Sequence, residues 1–173
     1  MKIETGASPE RAAEISEETA GRIRREWAAQ VKQATPYQVA GLLVEHFDRV
    51  TAVYFHFGRE LVEKWREGEQ GRGQVIPGSE MREMVDRWTE TQQPVLTAYD
   101  DNLELAYREL TTSGIFADDF RRILKRLVDE YYGVYSAVFL PMGTLGEYEH
   151  RLEQVEYEAE AISQEYRDYL ERF

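Results

Sequence analysis

The sequence predicts an all-α protein: a bundle of about five helices whose last member is a long C-terminal coiled-coil linker helix. Two observations carry that prediction. Apolar residues recur at alternating spacings of three and four through most of the 173 residues, the repeat of one face of an α-helix. Helix-start signals, Thr35-Pro36-Tyr37-Gln38 and Thr144-Leu145-Gly146-Glu147, stand immediately before two of the stripes, each a capping box in which a Thr hydroxyl and the side chain three residues on satisfy the first backbone N–H groups.

The first helix is expected to start at Ser16, an N-cap followed by Glu17 and Glu18, which suit the positive end of the helix dipole. Ile15 and Ala20 are placed to form a hydrophobic staple around that cap. Its stripe is Ala20, Ile23, Trp27 and Val31. Residues before Ser16 read as a lead-in, with a helical turn from Ser8-Pro9 as one form of it. The second helix opens with Pro36 at the first helical position, where a missing N–H costs nothing. Its stripe runs Val39, Leu43, Phe47, Val50, Tyr54, Phe57, Leu61, Trp65, with Val44, Phe55 and Val62 on a second flank. An arc this broad predicts a central helix, stopping at Gly68 before the glycine-rich EGEQGRGQVIPG.

The third segment starts near Ser79 and continues through Met81, Val85, Trp88, Tyr99, Leu103, Ala106 and Leu110 to Gly114. Pro94 predicts a sharp kink or a break, because proline removes a hydrogen bond and crowds the preceding turn. The fourth helix runs from about Asp118 through Phe120, Ile123, Leu127, Tyr131, Val134 and Val138, and ends at Pro141 and Gly143. In the fifth, Leu145, Tyr148, Leu152, Val155, Ala159, Ile162, Tyr166, Tyr169 and Phe173 form a narrow seam with few other apolar residues, the mark of a coiled coil. The seam is still in phase at the last residue, so the expected organisation is a helical domain over 1–143 and a linker helix over 144–173 leading to a further domain. The alternative is that this helix folds back as a fifth bundle member.

Composition excludes several function classes. There are 33 acidic and 21 basic residues, a net charge of −12 and no cysteine, so disulfides, thiolate nucleophiles and Cys-ligated metals are ruled out. The acidic balance argues against nucleic acid and anionic membranes as partners. No signal peptide opens the chain and its longest charge-free stretch, Tyr131 to Gly146, is shorter than a membrane span; a cytoplasmic location is expected. Residues 147–173 hold nine acidic and three basic side chains, half the net charge, so the acidity describes the last helix more than any substrate.

Catalytic and metal-binding patterns are sparse. His46 lies roughly 60° off the second helix's seam and His56 roughly 140° off, on the polar side, so the two share no face. His150 lies beside Glu149. Two solvated histidines and one at a core edge are expected. Only Glu147-Tyr-Glu-His150 fits the Glu-x-x-His spacing of di-iron bundles, which need two such pairs. Residues 69–149 contain no histidine for haem, and Met81, Met84 and Met142 read as core fillers. There is no Gly-x-Ser-x-Gly or P-loop, and GRG at 71–73 reads as a connector. Asp100-Asp101-Asn102 falls mid-helix and Asp118-Asp119 at an N-cap. No enzymatic activity, metal or cofactor is expected. Gln92 is the one polar residue on an apolar stripe: it either bonds a carbonyl freed by Pro94 or lines a small ligand pocket with Trp88 and Tyr99.

Several segments, in order, resemble the N-terminal non-haem globin-like sensor domains of RsbR-type stressosome proteins. GRIRREWAAQVKQ resembles the family's first helix, PYQVAGLLVEHF the start of the second, RWTETQQPVLTAYDDNLELAYREL the long penultimate helix, and LVDEYYGVYSAVF the last globin helix. The heptads from Leu145 resemble the linker into the C-terminal STAS domain, and residues 1–14 have no counterpart. The resemblance implies a globin-like bundle without haem, a homodimer, and a non-enzymatic sensory input domain of bacterial stress signalling. It would pass a signal through its last helix to a STAS domain and other stressosome components. Two other readings remain: a metal- or lipid-binding helical bundle, and an adaptor that binds a partner through its acidic helix.

Overall fold

Both capping boxes form. Thr35 Oγ1 accepts from the Gln38 N–H at 3.3 Å while Gln38 Oε1 accepts from the Thr35 N–H at 2.8 Å. Thr144 and Glu147 repeat the arrangement at 3.3 and 2.9 Å. The computed structural model describes residues 9–172, which form five helices: α1 Pro9–Gln33, α2 Pro36–Arg72, α3 Gly78–Thr112, α4 Asp118–Phe139 and α5 Leu145–Leu170. The protein is all-α over those residues.

Helix α2 is central. All eight residues of its main stripe and all three of its second flank are buried, because α3, α4 and α5 pack around it. Helix α1 packs chiefly on α3. Aromatic rings fill the space between α2, α3 and α4: Phe57 lies against Trp88 and Phe139, and Tyr54 against Tyr131, Tyr135 and Phe139. At the far end Trp65 is fully buried and donates its indole N–H to the Ile76 carbonyl at 2.8 Å.

The narrow seam of α5 is used inside the chain. Tyr148, Leu152, Ala159, Ile162, Tyr166 and Tyr169 are buried, and Leu145 and Val155 half-buried; Phe173 lies outside the described residues. Tyr148 donates to the Val138 carbonyl in the last turn of α4 at 2.7 Å, and Tyr166 to the Ala40 carbonyl of α2 at 3.0 Å. Gly58 lets α5 approach closely, since a Cβ there would stand 3.0 Å from Leu152. The face expected to pair between chains is therefore occupied by α2 and α4, and α5 is the fifth bundle member. Its acidity is met in the same way. Arg59 pairs with Glu156 at 2.9 Å, Arg66 with Glu149 at 3.1 Å and Arg126 with Glu165 at 2.8 Å. Exposed pairs contribute little stability each, but the order of Arg59 and Arg66 along α2 against Glu156 and Glu149 along α5 matches an antiparallel register of those two helices, and Arg126 ties α5 to α4.

Several expected boundaries move. Helix α1 starts at Pro9, so Ser16 is an interior, buried residue rather than an N-cap. Ile15 is exposed while Ala20 is buried, so no staple joins them. Helix α2 continues past Gly68 to Arg72 and is capped by Gly73 at φ 65°, a left-handed conformation that glycine adopts without strain. The GRG segment is thus a helix end, not a loose connector. Pro94 does not break α3, whose buried Val85 and Leu96 anchor both sides of it. Met142 is 64% exposed and fills no core.

Where the loop before α3 meets the loop after α4, the Gly78 N–H bonds the Gly143 carbonyl at 3.0 Å. A Cβ at Gly78 would lie 2.8 Å from the Pro141 carbonyl oxygen, a backbone atom that cannot turn aside. Gly78→Ala is therefore expected to destabilise the fold by about 1–3 kcal/mol, read from the midpoint of urea unfolding. An unchanged midpoint would refute the tight contact.

Candidate functional site

The residue that most departs from its sequence reading is His46. It is only 3% exposed, a core histidine rather than a core-edge one, because α1 and α3 close over this part of α2. Its Nε2 lies 3.0 Å from the Tyr99 carbonyl oxygen. A carbonyl only accepts, so Nε2 carries the proton and the neutral ring keeps its lone pair on Nδ1. Burial pushes the imidazole down to about 4, against the Tyr99 hydrogen bond that raises it, with the nearby Arg49 charge adding to the lowering. The ring packs on Trp27 at 4.8 Å between centroids and on Tyr99 at 6.1 Å.

These residues wall a cleft of about 150 Å³ between three helices: Ile23, Glu26, Trp27 and Gln30 from α1, His46 and Arg49 from α2, Tyr99 and Asn102 from α3. Trp27 is 4% exposed, yet its indole N–H has no acceptor, an arrangement that is uncommon because buried polar groups are nearly always bonded. Asn102 donates to the Ile23 carbonyl at 3.4 Å, and Asp101 pairs with Arg24 at 3.0 Å. Both hold α3 against α1.

Beside Tyr99 in sequence, Asp100 Oδ1 accepts from the Tyr131 hydroxyl at 2.9 Å, and the Tyr54 and Tyr131 hydroxyls stand 3.4 Å apart. With the Tyr131 proton committed to Asp100, Tyr54 is the donor of that pair. Burial raises the Asp100 carboxyl above the usual range, Asp101 and Glu104 add to the rise, and the Tyr131 bond opposes it. Burial likewise raises both phenols. This chain cross-links α2, α3 and α4.

The pocket suggested by Trp88, Gln92 and Tyr99 is divided. Trp88 stacks on Phe139 and Phe57, while Tyr99 lines the His46 cleft. Eleven helical residues, roughly 16 Å of rise, separate them. Gln92 is half-buried between the two. His56 is exposed and pairs with Glu60 at 3.1 Å, and His150 is exposed. Among the described residues no group of three or more His, Asp or Glu side chains could hold a metal ion, and no helix is long and apolar enough to cross a membrane. No signal in the stripes marked Trp27 and His46 as partners. Asn102 could have done so, since a polar residue one turn after Tyr99 on a buried face needs a reason.

Neutral burial of His46 has a measurable consequence. Its folded pKa lies below the ordinary histidine value of 6.5, so the unfolded chain binds a proton that the folded chain refuses. This contribution is complete above about pH 6.5 and is lost as pH falls toward 4, in total about 3 kcal/mol. His46→Phe is expected to flatten the unfolding free energy between pH 6.5 and 4 relative to wild type. Asp100 titrates with the opposite sign in both proteins and cancels in the difference. Equal slopes would contradict the buried neutral histidine.

No protein-family model, no curated protein and no solved structure matches this chain significantly.

Proposed function

We propose that the chain is a non-enzymatic sensory input domain, acting as a homodimer, in which a change at the α1–α2–α3 cleft is passed through α2 to α5. The observation that supports this reading is the double use of α2. One side of it supplies His46 and Arg49 to the cleft. The neighbouring residue Asp48 accepts from Ser163 Oγ of α5 at 2.6 Å and pairs with Arg167 of α5. Residues 46–49 thus touch both ends of the path, and a rotation of α2 that repacks the cleft must also strain the Asp48 clamp. Signalling requires two packings of comparable free energy, and a rigid helix carrying polar contacts on two faces is a means of linking them. The role follows the sequence resemblance to RsbR-type sensor domains, which adds a STAS domain and other stressosome components as partners and a cytoplasmic setting.

The test is a comparison of backbone amide NMR shifts in wild type and Trp27→Leu. No α5 residue lines the cleft, so shifts at Ser163 and Arg167 are expected to exceed those at the α5 residues that make no contact with Asp48. Changes confined to α1, α3 and the cleft face of α2 would overturn the coupling. Sedimentation equilibrium reads the dimer separately, and a monomer at all concentrations removes that part of the reading.

A further inference from the structure

Helix α1 is held differently from the other four. Each of α2 to α5 packs on at least two neighbours, whereas α1 packs extensively on α3 alone and meets α2 where the Trp27 ring lies on His46. Of its described residues only Ser16, Ala20, Trp27 and Val31 are buried. Two of those four carry Ser16 Oγ and Trp27 Nε1, the only buried side-chain nitrogen or oxygen atoms among the described residues that lack a hydrogen-bond partner. Both atoms are sealed from solvent, so docking α1 strips water from two polar groups without replacing its hydrogen bonds. The polar ties across this interface are also slight. Asn102 reaches the Ile23 carbonyl at 3.4 Å, and Arg24 meets Asp101 at the surface. By contrast, Tyr148, Ser163 and Tyr166 of α5 bond α4 and α2 at 2.7, 2.6 and 3.0 Å. Residues 34 and 35 separate α1 from α2 and supply a hinge.

We infer that α1 is a detachable cover: it lifts from α3 and α2 as one unit on that hinge while α2 to α5 stay folded. Lifting hydrates Ser16 and Trp27 and bares His46, Tyr99 and Asn102. The open form is a minor one, because the same motion exposes Ala20, Val31 and the apolar faces of Trp27. It supplies the motion by which the proposed α1–α2–α3 cleft changes, and its meaning for signalling rests on that reading.

The experiment is native-state hydrogen exchange of the full chain, read residue by residue at rising urea. The amides of Ala20, Trp27 and Val31 are expected to exchange through one common opening, at least about a hundredfold faster than those of Leu43 and Tyr54 in α2. That opening should depend on urea less steeply than global unfolding does. Ser16→Ala removes one of the two orphaned groups. It should slow the α1 opening by about fivefold or more, against the roughly twofold that its gain in helix propensity gives. Three results would each overturn the proposal: α1 protection equal to that of α2, a graded rise in protection from Ala20 to Val31 that marks fraying, or a slowing in Ser16→Ala of no more than that twofold. Failure here is separable from failure of the sensor reading, because the Trp27→Leu shifts at Ser163 and Arg167 are read in the closed form and need no opening.

Discussion

Replacing Leu152 and Ile162 together by aspartate is expected to abolish cooperative folding, not to release a monomer from a dimer. On the sequence alone the two positions belong to a seam between chains, where charge would simply separate the partners. In the structure they are 6% and 5% exposed within one chain, and Leu152 sits over Gly58 of α2 at close approach. Truncating one such residue costs about 2–5 kcal/mol, and a carboxylate without a partner in that space adds a further desolvation penalty. Two of them meet or exceed the roughly 5–15 kcal/mol that holds a domain folded. Circular dichroism should show loss of the thermal transition at neutral pH. A helical, cooperatively melting monomer would mean that the seam faces outward.

Trp65→Ala is the second large effect. Trp65 is fully buried, hydrogen-bonded to the Ile76 carbonyl and 5.7 Å from the Tyr148 ring. It therefore joins the end of α2, the loop before α3 and the start of α5. Removing it leaves a cavity and an unbonded carbonyl, about 3–5 kcal/mol for the ring alone, or about 6–20 °C in Tm for a chain of this size. Trp65→Phe should recover part of the packing and none of the hydrogen bond, falling between the two. A Tm within a few degrees of wild type for Trp65→Ala would contradict the junction role.

How much of this was legible follows from what periodicity encodes. It locates the buried face of a helix but not what covers that face. The α2 stripe, the Thr35 and Thr144 caps and the ends of α4 were readable because each is local chemistry. The destination of the α5 seam was not, because a narrow stripe satisfies either a second chain or a groove between two helices of the same chain. Tyr148 and Tyr166 held a hint, since a coiled-coil core has few carbonyls for a phenol to reach, whereas the end of α4 and the start of α2 provide them. The acidic flanks of α5 were readable as a charge but not as partners of Arg59, Arg66 and Arg126, which lie about 40–100 residues away in sequence.

The cleft was less legible still. Its walls come from three helices, and His46 appeared as a core-edge residue because its angle was measured against α2 alone, without α1 above it. Trp88, Gln92 and Tyr99 share a stripe, but a stripe is a line along the helix, not a point. A pocket requires convergence from different helices, as Trp27, His46 and Tyr99 show. Of the two outcomes expected at Pro94 the break does not occur: α3 runs through it as one helix, with buried Val85 and Leu96 on either side.

The central claim, that α5 is an integral member of the bundle, is tested most directly by native-state hydrogen exchange of the wild-type chain. The account predicts that the amides of Leu152, Ile162 and Tyr166 are protected to about the same free energy as those of Leu43, Tyr54 and Leu61 in α2, all opening only with global unfolding. Exchange of the α5 amides by local fraying, orders of magnitude faster than those of α2, would contradict it.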